Sequence, residues 1–330
     1  MKRPLFVFAG QSNMMGAAVY PAKEQIAYTN SYEYLHKPRR FGRDMGEFKS
    51  VGFPVGEFTY RDLQAAYGQT ADPTAVSSLA NYTDNTLFGP AMCNLLDDEQ
   101  KTTVPFASFS EQTVGWAPAL PPYFVQKLEG LGYACAYAHI AKGSVSITYY
   151  LEGEVAAYFD EKVTDFFADA TARFSEDDTG DKVLVWLQGC SDAVEGYEAY
   201  RRRLDALWER AKGLGFTCFF MIRVGYWGDD RIAGVMQAQE DFCTAHPDAY
   251  MLTRVCSYMV YKGQDMEAWY ATPPSEEALL CRDSFYGFDN QHINEKGFRV
   301  IARHAVPNAI RVIYENKQPQ LEQELLRPLL

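Results

Sequence analysis

The stretch FVFAGQSNMMG, residues 6–16, joins an unbroken apolar run, residues 6–9, to a glycine and three small polar residues, Gly10-Gln11-Ser12-Asn13. A run that is apolar at every position reads as a strand buried on both faces, the pattern of a parallel sheet with helices packed on each side. In open α/β sheets, ligands bind just beyond the carboxyl ends of the strands. Ser12 therefore stands where such a sheet would display a nucleophile. It also stands where a serine would cap the next helix. What the rest of the chain brings to the same edge decides between the two.

Further apolar runs at 104–109, 134–140, 183–187, 218–224 and 250–255 read as core strands. Helix-like stretches fall near 155–174, 193–213, 231–245 and 294–315. Strand and helix alternate, which predicts a parallel sheet covered on both faces. Right-handed crossovers then bring all the strand carboxyl ends to one edge. The expectation is an α/β fold of three layers, α/β/α, formed by a single domain over residues 1–330. Two segments break the alternation, at about 17–103 and 225–288. Insertions of this length in a compact domain are usually functional covers, and both are read as walls around the carboxyl edge.

Bulk composition excludes several functions. With 31 Lys and Arg against 43 Asp and Glu, the formal charge is −12, which repels nucleic acid and anionic membrane surfaces. No run of 18 apolar residues suggests a membrane span. Met1-Lys2-Arg3-Pro4 leads directly into the first strand, so no secretory signal is expected. The seven cysteines form no C-x-x-C pair and read as free thiols, giving a cytoplasmic location as the expectation. No spacing fits a metal site and no glycine-rich loop fits a nucleotide, so no cofactor is expected.

Three later stretches carry polar groups to the predicted strand ends. AHIAKGSVSI (138–147) follows a strand with Gly143-Ser144, VLVWLQGCSDA (183–193) follows one with Gln188-Gly189, and DNQHINEKGFRVIA (289–302) places Asp289 and His292 before a helix. Together they supply what serine acyl transfer requires. Ser12 needs a base to take its proton, and His292 titrates near neutrality. The imidazole needs an acceptor on its other nitrogen, which Asp289 offers. Backbone N–H groups of Ser12 and Gly143 and the side-chain amide of Gln188 are candidates for an oxyanion hole. Some of these roles have rivals: Ser144 in place of Gly143, and Asp192 either holding loop backbone or replacing Asp289. Gln188 serves either the oxyanion or the loop. Cys190 reads as packing, because a free thiol is inert without a nearby cation. His139, inside an apolar run, reads as a buried, hydrogen-bonded core residue.

The blocks GQSNMMG, WLQGCSDA and DNQHINEKG resemble the GQSNM, W-x-QGE-S-D and D-x-x-H-x-N-x-x-G blocks of the SGNH hydrolase superfamily, in its sialate O-acetylesterase and carbohydrate esterase family six branch. The resemblance implies a flavodoxin-like parallel sheet and removal of O-acetyl groups from carbohydrate through an acyl-enzyme. It implies Ser12 as nucleophile, His292 as base, Asp289 as its orienting carboxylate, and an oxyanion hole lined by Ser12, Gly143 and Gln188. Gln11, Asn13, Ser144, Cys190 and Asp192 are expected on the substrate side. Two positions depart from the pattern: Cys190 replaces the glutamate of QGE, and block two reads Gly143-Ser144-Val145 where the family has a Gly-Gly-Thr-like turn. Both touch the substrate side, so the sugar is not inherited. The expected partner is a small acylated carbohydrate. The other readings of the same residues are a lipid-type esterase or thioesterase of this superfamily, and a noncatalytic carbohydrate-binding protein on the same fold.

Overall fold

Residues 5–9 carry no polar side chain and are wholly buried, as a strand at the centre of a covered sheet must be. They belong to β1 (Arg3–Gly10) in a computed structural model of the protein. The structure describes residues 2–15, 20–21, 26–35, 47–49, 51–52, 115–116, 119–142, 145–225, 231–259, 285, 293 and 295–322. After β1 come the single-turn helix α1 (Ser12–Met15) and the short strands β2 (Tyr20–Pro21) and β3 (Ile26–Ala27). Strands β4 (Tyr32–Leu35), β5 (Glu47–Lys49), β6 (Val51–Gly52) and β7 (Gly115–Trp116) follow. The remaining elements are α2 (Leu120–Gly130), β8 (Ala136–Ala141), α3 (Gly153–Phe174), β9 (Thr179–Leu187), α4 (Gly196–Gly213), β10 (Cys218–Ile222), α5 (Ile232–Ala245), β11 (Ala249–Thr253) and α6 (Glu295–Ile313).

The main sheet runs in the order β11-β10-β9-β1-β8-β4-β5. Its first six strands are parallel, and β5 closes the far edge antiparallel to β4. β2 pairs with β7 and β3 with β6 in two small antiparallel ladders. From β1 the chain passes to β4 and β5, comes back through α2 to β8, then crosses β1 through α3 to β9 and goes onward through α4 and α5 to β10 and β11. Right-handed crossovers put α3, α4 and α5 on one face, and the packing of Phe124 on Phe6 and Phe8 puts α2 on the other. α6 packs beside α2. The result is the expected three-layer α/β/α arrangement.

Aromatic residues show how successive side chains alternate between the two cores. Phe6 and Phe8 meet Phe124 of α2, with ring centroids 5.6 and 5.3 Å apart. On the opposite face Phe219 of β10 meets Trp208 of α4 at 5.6 Å and Phe242 of α5 at 5.0 Å. The reversal at β1 matters for function. It leaves the end of β1 between those of β8 and β9, so the loops that follow all three meet around Ser12.

Two elements differ from the sequence reading. Helix α2 was not anticipated, because Leu120-Pro121-Pro122 looks like a helix breaker. Prolines in the first turn are compatible with a helix, since their missing N–H groups have no intrahelical acceptor there. The segment 17–103 was read as decoration, yet its β4 and β5 extend the main sheet. Apart from residues 20–21, 26–35, 47–49 and 51–52, that segment lies outside the described residues, as do the strand expected at 104–109 and residues 260–284. Among the described residues no helix is long and apolar enough to cross a membrane.

Candidate active site

Gly10 turns the chain out of β1 with φ +151°, where a Cβ would lie 2.1 Å from the carbonyl oxygen of Leu187. Only glycine lets the two strand ends approach this closely. The position is then fixed from both sides. Gln11 N–H donates to Leu187 C=O at 3.2 Å, and Lys142 N–H donates to Gly10 C=O at 3.1 Å. Tyr150 closes the arrangement: its hydroxyl donates to Gly10 C=O at 2.6 Å and accepts from Gly10 N–H at 3.2 Å. Ser12 begins α1 two residues on and is 6% exposed. Below it, His139 of β8 donates from Nε2 to Met14 C=O at 2.9 Å, fixing the far end of the turn. Burial holds this imidazole's pKa down to about 4, so it is neutral near pH 7.

The neighbours of Ser12 reach in opposite directions. Gln11 Oε1 accepts from Gly189 N–H at 3.1 Å and from Ser191 N–H at 3.3 Å, fastening the loop after β9. Asn13 Oδ1 accepts from Ile293 N–H at 2.9 Å, fastening the segment before α6. Both amides were expected on the substrate side. The structure buries them, 3% and 4% exposed, as clamps between loops. Gly297 completes the second attachment: a Cβ there would come within 2.5 Å of Ile293 Cγ2 and 2.9 Å of Phe285 C=O. A small cavity lies between Gln11, Asn13, Cys190, Val224 and Ile293. A larger cleft of about 340 Å³ lies elsewhere, between α5, β11 and residues 318–321.

Gln188 and Asp192 also face inward. Gln188 is fully buried and donates from Nε2 to Val145 C=O at 3.1 Å and to Asp192 Oδ2 at 2.5 Å. A primary amide has two N–H groups. Both are therefore occupied, and the oxyanion role weighed for this side chain finds no donor left in this arrangement. Asp192 accepts from Ser146 Oγ at 2.6 Å and Ile147 N–H at 3.1 Å, and lies 3.5 Å from the Arg203 guanidinium. Burial raises its carboxyl pKa, and those hydrogen bonds oppose the rise. Asp192 thus holds the loop after β8 against the loop after β9. Cys190 is half-buried, and burial pushes its thiol pKa well above the usual value, consistent with packing. Gly143, Ser144, Asp289 and His292 lie outside the described residues.

Sequence reading missed Tyr150, Tyr200 and Gln239 as site supports. Gln239 had a signal, being a polar residue at a core-facing position of an amphipathic helix. The two tyrosines look like ordinary core aromatics. No group of three or more His, Cys, Asp or Glu side chains that could hold a metal occurs among the described residues.

No family model matches the chain, and no curated protein matches it. Three solved structures are similar to it at low identity. A protein from Arabidopsis thaliana aligns at 12% identity over 93% of this chain and 97% of its own, with a TM-score of 0.49. NanS aligns at 11% identity over 94% of this chain and 97% of its own, also at 0.49. A carbohydrate acetylesterase from Xanthomonas citri aligns at 13% over 95% of this chain and 56% of its own, at 0.43.

Proposed function

We propose that the protein is a serine esterase that removes short acyl groups, acetyl foremost, from small carbohydrate substrates. The observation that carries the reading is the Asn13 Oδ1 to Ile293 N–H hydrogen bond of 2.9 Å. It joins the residue after Ser12 to the residue after His292 across 280 positions. Asn13 is bonded to Ser12 and Ile293 to His292 in the chain, so this contact supports pairing Ser12 with His292 as nucleophile and base. The order of the three sequence blocks along the chain also supports the reading.

In this mechanism Ser12 Oγ attacks the ester carbonyl while His292 takes its proton, with Asp289 orienting the imidazole. The Ser12 N–H, which has no acceptor among the described residues, and the N–H of Gly143 or Ser144 stabilise the oxyanion. His292 returns the proton to the departing sugar alkoxide, leaving an ester on Ser12. Water then attacks that ester with His292 as base, releasing the carboxylic acid and free serine. Gln188 enters as the wall that holds the 145–147 segment, in place of the direct donor first considered. The whole chain forms one catalytic domain.

The test is hydrolysis of an aryl acetate by the wild type and by Ser12→Ala, both shown to be folded by circular dichroism. Loss of at least ~10³-fold in kcat with the hydroxyl is expected. Equal turnover by the two proteins would overturn the assignment. A series from acetyl to octanoyl esters is expected to lose rate steeply. A rise along that series would favour the lipid-type esterase, and sugar binding without turnover the noncatalytic reading.

A further inference from the structure

The loops after β8, β9 and β10 are joined by one largely buried chain of hydrogen bonds, of which the catalytic scheme uses only Gln188. At the β10 end, Val224 N–H donates to Gln239 Oε1 at 3.0 Å. Gln239 Nε2 donates to Gln188 C=O at 2.8 Å and to Tyr200 Oη at 3.2 Å. The Tyr200 hydroxyl lies 2.8 Å from Gln188 C=O and 3.0 Å from Gln188 Oε1. The carbonyl already has a donor in Gln239, whereas Oε1 has no other donor among the described residues, which assigns the single tyrosine proton to Oε1. Gln188 then donates to Asp192 and Val145 C=O, and Asp192 receives Ser146 and Ile147. Tyr200, Gln188 and Gln239 are fully buried.

We infer that Tyr200 and Gln239 are positioning residues of the esterase site: they fix the orientation of the Gln188 amide and, through Asp192, the placement of the 145–147 segment, which follows Gly143-Ser144 in the chain. The inference rests on the esterase reading for its catalytic consequence, and on the structure alone for the coupling. Three features support it. The amide of Gln188 can face only one way, because its N–H groups must meet Asp192 and its oxygen must meet a donor. Tyr200 is that donor, and it comes from a helix, α4, on the outer layer. Gly189 has φ +152°, and a Cβ there would lie 2.6 Å from Val235 Cγ1 and 3.4 Å from Tyr200 Oη, so helices α4 and α5 press directly against the turn. From Tyr200 through Gln188 to Asp192 each link is a buried polar group with a defined partner, and a half-satisfied network is costly.

Tyr200→Phe removes one oxygen and little volume. Hydrogen–deuterium exchange of the full-length variant is expected to speed by about fivefold or more in the peptide covering 145–151, to which Tyr200 makes no hydrogen bond, while α4 itself stays protected. With an aryl acetate, kcat is expected to fall about tenfold with KM within about twofold, since a small misplacement costs rate before binding. The double variant Gln188→Ala/Tyr200→Phe is expected to be no slower than Gln188→Ala alone, because both act through one amide. Unchanged exchange at 145–151, or additive losses in the double variant, would overturn the inference. Should Tyr200→Phe fail to fold, Gln239→Met cuts the same chain from α5 and is read in the same two ways. If exchange responds as expected but the wild type shows no Ser12-dependent turnover, the coupling stands and the esterase reading is what fails.

Discussion

Gly10 and His139 show how single residues set the display of Ser12. Any side chain at position 10 would meet the Leu187 carbonyl at 2.1 Å in a backbone conformation that L-residues avoid. Gly10→Ala is therefore expected to cost more than about 3 kcal/mol, read as a fall in the urea midpoint, with turnover lost wherever the protein still folds. His139 makes a pH prediction. Its folded-state pKa is about 4 against an ordinary value of 6.5, because a buried imidazolium would lose its hydration. Between those two values the unfolded chain binds a proton that the folded chain does not. Stability is therefore complete above pH 6.5 and declines as the pH falls toward 4, by about 3 kcal/mol at most. His139→Gln keeps a donor for Met14 C=O but does not titrate. Chemical unfolding at pH 7 and pH 4.5 is expected to show a smaller difference for the variant than for the wild type, and an equal slope would assign the acid sensitivity to other groups.

At the scale of elements, the carboxyl edge of the sheet is held together by side chains from the strand-end loops themselves. Asn13 ties α1 to the segment before α6, and Gly297 lets Ile293 sit down on the first turn of that helix. Asn13→Ala leaves a buried N–H without its acceptor, a cost of about 1–3 kcal/mol. Activity is expected to fall further than stability, because Ile293, which it releases, is the chain neighbour of His292, the base of the proposed mechanism. Gly297→Ala is expected to act on the same attachment by displacing Ile293. A Tm loss with unchanged kcat in both variants would mean that this attachment is not what places the base. The helices needed less tertiary help to be recognised. α3, α4 and α6 each carry an apolar stripe at helical spacing, and their buried residues follow it. α2 escaped because its prolines carry opposite meanings at a helix start and in a helix interior, and local composition does not say which applies.

On the scale of the whole molecule, the far side of the sheet is braced by charge and by the tail. Glu240 of α5 accepts from Arg223, after β10, at 2.8 Å and from Arg254, after β11, at 2.6 Å. Arg223 is 1% exposed, so its guanidinium has no water to fall back on. Glu240→Leu is expected to cost about 3 kcal/mol, seen as a lower Tm, because it strips a carboxylate from a buried cation. Residues 314–322 cross the edge strand: Asn308 Nδ2 donates to Leu252 C=O at 2.7 Å and to Gln320 C=O at 3.0 Å, and Glu322 accepts from Arg254 N–H at 2.8 Å. These contacts occupy part of the outer edge of β11, which would otherwise offer open backbone groups.

The sequence by itself determined the class of fold, the strand that leads to Ser12, and the glycine that ends it. Each of these follows from local rules: an unbroken apolar run buries both faces, strand–helix alternation makes a parallel sheet, and a tight turn between strand ends demands a residue without Cβ. The tertiary structure decided which way the polar side chains around Ser12 face. Gln11, Asn13, Gln188 and Asp192 read alike as polar groups at a ligand-binding edge. Their partners lie far off in sequence, at Gly189, Ile293, Tyr200 and Ser146. A buried amide or carboxylate orients toward whatever donors and acceptors the folded chain brings to it. Periodicity reports that a position is buried, but only the packed loops supply the partner that sets its direction.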